Sequence, residues 1–205
     1  MINLNHADKK KKSFMYQNLQ KSKCYNTDFS SSNFDYTCFR GAHMKSCIFN
    51  ACTFKGSEFV GSNLKDSQFK DAIFEYTVFE GAKLEGVDFK GAKFTHTFIV
   101  GSDVDKALNL NVTDEGLKIL PEMPEIDIDD RLLKAFDKLM VNPFVKKARV
   151  LDTKDKKLNT VSVMILMALF SEETLISAFE EIHSHLNRDF YTLSYLIKLI
   201  EKIAT

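Results

Sequence analysis

The chain has 205 residues, 28 basic side chains against 28 acidic ones, 44% hydrophobic residues, three prolines, no tryptophan and 18 phenylalanines. A formal net charge of zero excludes nucleic-acid binding by bulk electrostatics, and this much apolar side chain excludes a disordered polymer. The longest apolar run, residues 163–170, falls far short of the roughly 20 residues a membrane helix needs, so no membrane span is expected.

No apolar segment follows Lys9–Lys12, so the sequence predicts no secretory signal and a cytoplasmic location. The four cysteines, Cys24, Cys38, Cys47 and Cys52, contain no C-x-x-C pair, which predicts neither a disulfide scaffold nor a zinc site. Lysine outnumbers arginine 24 to 4, and with abundant Ile and Asn this fits an AT-rich bacterial source.

The first predicted element is a repeat. Every fifth residue from Phe14 to Val104 is apolar, and twelve of the 18 phenylalanines fall on this series. They are Phe14, Phe29, Phe34, Phe39, Phe49, Phe54, Phe59, Phe69, Phe74, Phe79, Phe89 and Phe94. Two residues before each centre, from Ser22 to Ser102, the side chain is small or β-branched in seventeen consecutive pentads.

Neither the 3.6 period of a helix nor the 2.0 period of a strand produces this pattern. A chain that turns a corner every five residues does, with one large and one small side chain inside on each side of a square coil. If four pentads close a coil, residues twenty apart stack. The column Phe14, Phe34, Phe54, Phe74, Phe94 is all Phe, as is Phe29, Phe49, Phe69, Phe89. The column Cys24, Met44, Leu64, Leu84, Val104 has none, and Leu19, Phe39, Phe59, Phe79, Ile99 is mixed. Such segregation predicts a β-helix over residues 19–106 with an all-Phe side facing smaller residues.

A β-helix needs covers at both ends. Residues 1–18, whose pentads put Lys12 and Gln17 where small residues belong, are expected to form an N-terminal cap. Residues 107–127 are expected to be a linker, with a short helix near residues 113–120 ended by Pro121. Residues 128–205 then predict a small helical bundle. One amphipathic helix carries Ile128, Leu132, Leu133, Phe136 and Leu139 and stops near Asn142-Pro143. A buried helix covers residues 161–170, Ser171 caps the next, and Asp189 is expected to cap the last. The bundle is expected to cap the coil at Val104, to bind a partner, or to dimerise.

The segments Ser62-Asn63-Leu64-Lys65, Ala82-Lys83-Leu84-Glu85-Gly86 and Val87-Asp88-Phe89-Lys90-Gly91-Ala92 resemble the pentapeptide-repeat family, whose pattern is small, Asp or Asn, Leu or Phe, polar, Gly. The resemblance covers about residues 13–106 and implies a right-handed quadrilateral β-helix. Dimerisation through C-terminal helices in some members implies a homodimer here, through the helices or through the apolar side of the β-helix.

Outward positions beside Phe39, Phe59, Phe79 and Ile99 include Val60, Val78, Phe98 and Val100. This apolar cluster is the candidate interface, either with another molecule or with the chain's own helices. Cys24, Cys47 and Cys52 fall at inward positions, while Cys38 is expected to point outward with no histidine to activate it. His183 and His185 face different directions on a helix and cannot share a metal. Glu125, Asp127, Asp129 and Asp130 lack the glycine and distal glutamate of a calcium loop and are expected to seed the helix that follows. No catalytic residue, metal or cofactor is expected. The expected function is a non-enzymatic interaction or scaffold module with an unidentified protein partner. The resemblance also implies an alternative, a DNA-mimicking inhibitor of DNA gyrase or topoisomerase IV. That activity needs an acidic rod, whereas residues 20–106 hold eleven basic and eleven acidic side chains.

Overall fold

The computed structural model describes residues 3–204 and divides into two compact units, Met1–Glu122 and Met123–Thr205. The first is the right-handed quadrilateral β-helix. Every fifth residue from His6 to Gly101 has a left-handed φ, between +46° and +72°, and makes a corner. At many corners the backbone N–H three residues after a centre donates to that centre's carbonyl, closing a β-turn. Ser32 donates to Phe29 at 3.1 Å and Ala42 to Phe39 at 2.9 Å. Seven of the eight glycines sit at these corners, where the missing Cβ removes the left-handed penalty. Residues such as Ala51, Tyr36 and Asp71 take the same conformation at a cost of about 1–2 kcal/mol each, which the surrounding ladders offset.

Those ladders are parallel with a register of twenty. Strands β1 (Thr53–Lys55), β2 (Ile73–Glu75) and β4 (Lys93–Thr95) form one side; β3 (Val78–Glu80), β5 (Thr97–Val100) and β6 (Leu117–Leu120) form another. Single bridges such as His43 to Asn63 and Gln68 to Asp88 complete the remaining sides. Inside, the predicted Phe columns stack nearly parallel: Phe34 on Phe54 at 5.4 Å, Phe49 on Phe69 at 4.9 Å and Phe59 on Phe79 at 4.7 Å. Adjacent columns meet edge to face, as Phe49 meets Phe54. The centres Phe29 through Phe89 are fully enclosed. Each contributes about 1.5–3 kcal/mol by burial, and each aromatic pair about 0.5–1.5 kcal/mol more.

The small positions do more than save volume. At several of them the hydroxyl or thiol donates to the carbonyl 23 residues earlier, on the preceding coil: Thr37 to Phe14 at 2.7 Å, Ser57 to Phe34 at 2.6 Å, Ser67 to Met44 at 2.6 Å and Cys52 to Phe29 at 3.0 Å. The carbonyls of Phe14, Phe29 and Phe34, which already accept a turn N–H, thereby take a second donor. This explains why Ser, Thr and Cys share the position with Ala.

The expected boundaries move at both ends. Residues 3–18 are a coil rather than a separate cap, because Asn3, Asp8, Ser13 and Asn18 bridge Lys23, Asp28, Asn33 and Cys38 in the same register. Of the expected cap, Met1 and Ile2 lie outside the described residues. At the other end, residues 107–120 are not a linker and the short helix near 113–120 is absent. Leu108 bridges Asp88, and β6 pairs with β5, Leu117 opposite Thr97. The five-residue rhythm stops at Val104, but the register of twenty survives one irregular stretch. Gly116 makes that possible: a Cβ there would lie 2.0 Å from the Phe94 carbonyl oxygen.

The helical unit contains α1 (Asp130–Met140), α2 (Pro143–Ala148), α3 (Thr160–Leu169), α4 (Glu172–His185) and α5 (Leu193–Ala204). Helix α1 packs on α4 through Phe136 and Phe179, whose rings are 4.8 Å apart, and α4 also packs on α3 and α5. Helix α2 was not expected. Asn142 ends α1 and also starts α2, since its Oδ1 accepts from the Phe144 N–H at 2.9 Å while Pro143 occupies the first helical position. Its Nδ2 donates to the His183 carbonyl at 3.1 Å, tying this junction to α4. Ser171 caps α4 as expected. The last helix begins at Leu193, later than a cap at Asp189 would place it, and Asp189 instead pairs with Lys147. Among the described residues no single helix is long and apolar enough to cross a membrane.

Candidate interaction surfaces

The four apolar residues proposed as an interface occupy neighbouring rungs of one side. Val78 and Phe98 belong to the ladder Asn18, Cys38, Glu58, Val78, Phe98, Lys118. Val100 lies two residues beyond Phe98, opposite Glu80 and Leu120. Val60 lies beside Phe59, and its carbonyl accepts from the Gly41 N–H. The structure therefore groups them as the pentad geometry predicts, but it does not leave them as an open patch. Phe98 is 8% and Val100 1% exposed, and Val60 and Val78 are half-buried. The Lys118 ammonium stands 5.9 Å from the centroid of the Phe98 ring.

Cys38 shares this side, and its expected outward exposure is not observed. It is fully buried, and its sulfur accepts from Gln20 Nε2 at 3.4 Å. Glu58, also buried, lies 3.7 Å from the Arg40 guanidinium. Burial first, then the Glu58 carboxylate, pushes the Cys38 thiol up from its ordinary value. Burial likewise raises Cys24, and it raises Cys47 and Cys52 to about 12. Thiols held neutral in this way are poor nucleophiles and poor metal ligands.

Other outward side chains pair along the ladders. Lys55 Nζ meets Glu75 at 2.8 Å, Lys70 meets Asp88 at 3.3 Å, and Tyr16 stacks on Tyr36 at 4.9 Å. His96 stacks on Tyr76 at 4.8 Å. In the terminal basic run, Lys10 pairs with Asp28 at 3.2 Å. In the acidic stretch, Asp129 caps α1 by accepting from the Arg131 N–H, as the sequence predicts. His185 lies 3.1 Å from Glu181 one turn earlier, while Nδ1 of His183 is buried without a hydrogen-bond partner among the described residues. Among the described residues no group of three His, Cys, Asp or Glu converges.

The recesses of the helical unit include two that set polar beside apolar side chains. One, of about 470 Å³, lies between the end of α4 and α5, where Arg188 meets the Tyr195 hydroxyl. The other, of about 630 Å³, lies at the α1–α2 junction, with Met140, Val141, Val145 and Leu151 framed by Lys146, Arg149, Lys154 and Lys156. Sequence reasoning missed the second. Its signal was the basic run between Lys146 and Lys157, which yields a site only once α2 and the following turn fold it around an apolar floor.

Two family models match the β-helix: "Pentapeptide repeats (8 copies)" over residues 16–45 and "Pentapeptide repeat region" over residues 42–114. Residues 16–114 thus match the pentapeptide-repeat family, and the helical unit lies beyond the matched segment. Among solved structures it is similar to HetL, a pentapeptide repeat protein involved in heterocyst differentiation regulation from the cyanobacterium Nostoc sp. strain PCC 7120. The identity is 17% and the TM-score 0.34, covering 52% of this chain and 49% of HetL, so the chain spans about half of HetL's length. A pentapeptide repeat protein from the Arabidopsis thaliana thylakoid lumen is 19% identical with a TM-score of 0.37, over 78% of this chain and 88% of that one. QnrB1, a plasmid-mediated fluoroquinolone resistance protein, is 19% identical with a TM-score of 0.29, over 52% of this chain and 55% of that one. No curated protein matches the sequence.

Proposed function

We propose that the protein is a non-enzymatic interaction module in which a stiff β-helix presents flat faces to a protein partner. The observation that carries this reading is the ladder order of the outer side chains. Residues twenty apart are held against each other, as Lys55 is to Glu75 and Tyr16 to Tyr36, so the recognition groups lose little freedom on binding. The thiols, the strongest nucleophiles in the chain, are withdrawn into the core. Crosslinking of the full chain in extract of its source cell, followed by mass spectrometry, tests the reading. A reproducible partner is expected. Recovery of none, together with turnover of a small molecule, would overturn it.

Self-association through the helices or the apolar side is the form of this reading to test first, by light scattering of the full chain over a range of concentrations. A concentration-dependent doubling of mass supports it, and a monomer throughout rejects it. The alternative, inhibition of DNA gyrase or topoisomerase IV by DNA mimicry, requires a strong negative field. The eleven-to-eleven balance over residues 20–106 does not supply one. A supercoiling assay with micromolar protein is expected to show neither inhibition nor protection.

A further inference from the structure

The cleft at the α1–α2 junction combines an apolar floor with uncompensated positive charge. Val145 and Leu151 are buried at its base, whereas Val141 stands 67% exposed at its mouth. Around it, Lys146, Lys154 and Lys156 have no carboxylate within ion-pair distance among the described residues. Neighbouring lysines do find partners: Lys138 reaches Glu180 at 3.3 Å and Lys147 reaches Asp189 at 2.5 Å. Of the two acids on the rim, Asp152 is held by Arg149 at 3.3 Å, which leaves Asp137 against three ammonium groups.

Two of those ammonium groups are on an ordered turn. The Thr153 N–H donates to the Lys157 carbonyl at 2.8 Å, and the Lys156 N–H to the Thr153 carbonyl at 3.0 Å. Asp152 and Leu158 close the turn as an antiparallel bridge.

We infer that this cleft docks an acidic segment of a partner protein, bound through apolar side chains against Val141, Met140 and Val145 and through carboxylates to Lys146, Lys154 and Lys156. Charge complementarity selects the acids, and the apolar floor selects a peptide over other polyanions. A nucleic acid would present phosphates to a floor that cannot pair with them, and its backbone would meet Asp137. This inference rests on the interaction-module reading and names one of its surfaces.

The test is fluorescence anisotropy of the full chain with a short labelled peptide that alternates Ile with Asp and Glu. Saturable binding is expected, weakened about tenfold or more between about 50 and 300 mM salt. Lys154→Glu with Lys156→Glu should abolish binding while circular dichroism stays unchanged. Val141→Glu should weaken it independently, as should replacing Ile by Ser in the peptide. The assignment fails if no binding is seen, if the charge-reversed protein binds equally well, or if the Ile-to-Ser peptide, duplex DNA or anionic vesicles compete as well as the Ile peptide. It also fails if wild-type and charge-reversed chains crosslink to the same partner in extract, an outcome that leaves the module reading standing.

Discussion

Cys47 and Cys52 occupy the small position of their pentads, and each thiol donates to a carbonyl of the preceding coil. Burial raises both to about 12 from the ordinary value of 9.0. In the unfolded chain these thiols ionise near their ordinary value, while in the folded chain they stay protonated. The folded state therefore binds more protons in this window, and stability falls as pH rises from about 9 toward 12. Below pH 9 the contribution is complete. Urea titrations at pH 8 and pH 10 should show the midpoint dropping with pH, and the double variant Cys47→Ala, Cys52→Ala should show a shallower drop. Equal pH dependence in the two proteins would contradict this account. The same residues show what the sequence conceals at this scale. Smallness at the position is visible in the letters, but the hydrogen bond across coils needs a partner 23 residues away and becomes visible only when the coils stack.

At the scale of elements, the Asn142 side chain ties the start of α2 to the end of α4. It accepts from the first N–H groups of α2 and donates to the last turn of α4. Asn142→Ala removes the cap and leaves the His183 carbonyl without this donor, and it should cost about 1–3 kcal/mol. Asn142→Asp keeps the cap oxygen but not the donor, and it should fall between the two. Calorimetric melting of the three proteins gives the order. The pair Asn142-Pro143 reads in sequence as a helix stop, which it is. That a helix also starts there depends on Val145 and Ala148 finding buried positions, and a six-residue helix has too few residues for a periodicity to announce it. The strand β6 was hidden for a related reason. Leu117–Leu120 has no pentad rhythm of its own, and it becomes a strand because the edge of β5 offers unpaired backbone groups twenty residues back.

For the whole molecule, the division after Glu122 changes where the chain can be cut. A chain ending at Lys106 would strip β6 from β5 and leave Thr97, Ile99 and Val100 on an unpaired edge. A chain ending at Glu122 keeps that edge paired. Size-exclusion chromatography should find the shorter piece aggregated and the longer one soluble. The reverse outcome would place the end of the β-helix at Val104 after all.

The charge and periodicity of the sequence determined the β-helix, its columns and its rejection as a strongly acidic rod, because a five-residue repeat is a local constraint that each pentad restates. Most of the helices followed for the same reason: Ser171 with Glu172 and Glu173, or the spacing of Leu132, Phe136 and Leu139, are signals carried within one or two turns. Tertiary structure decided the rest. Cys38, Phe98 and Val100 occupy outward positions by the arithmetic of the repeat, yet they are buried. Lys146, Lys154 and Lys156 form no motif in the sequence, yet they surround an apolar cleft. Both outcomes depend on which segments pack against which, and that information is distributed over residues too far apart in the chain to form a pattern within it.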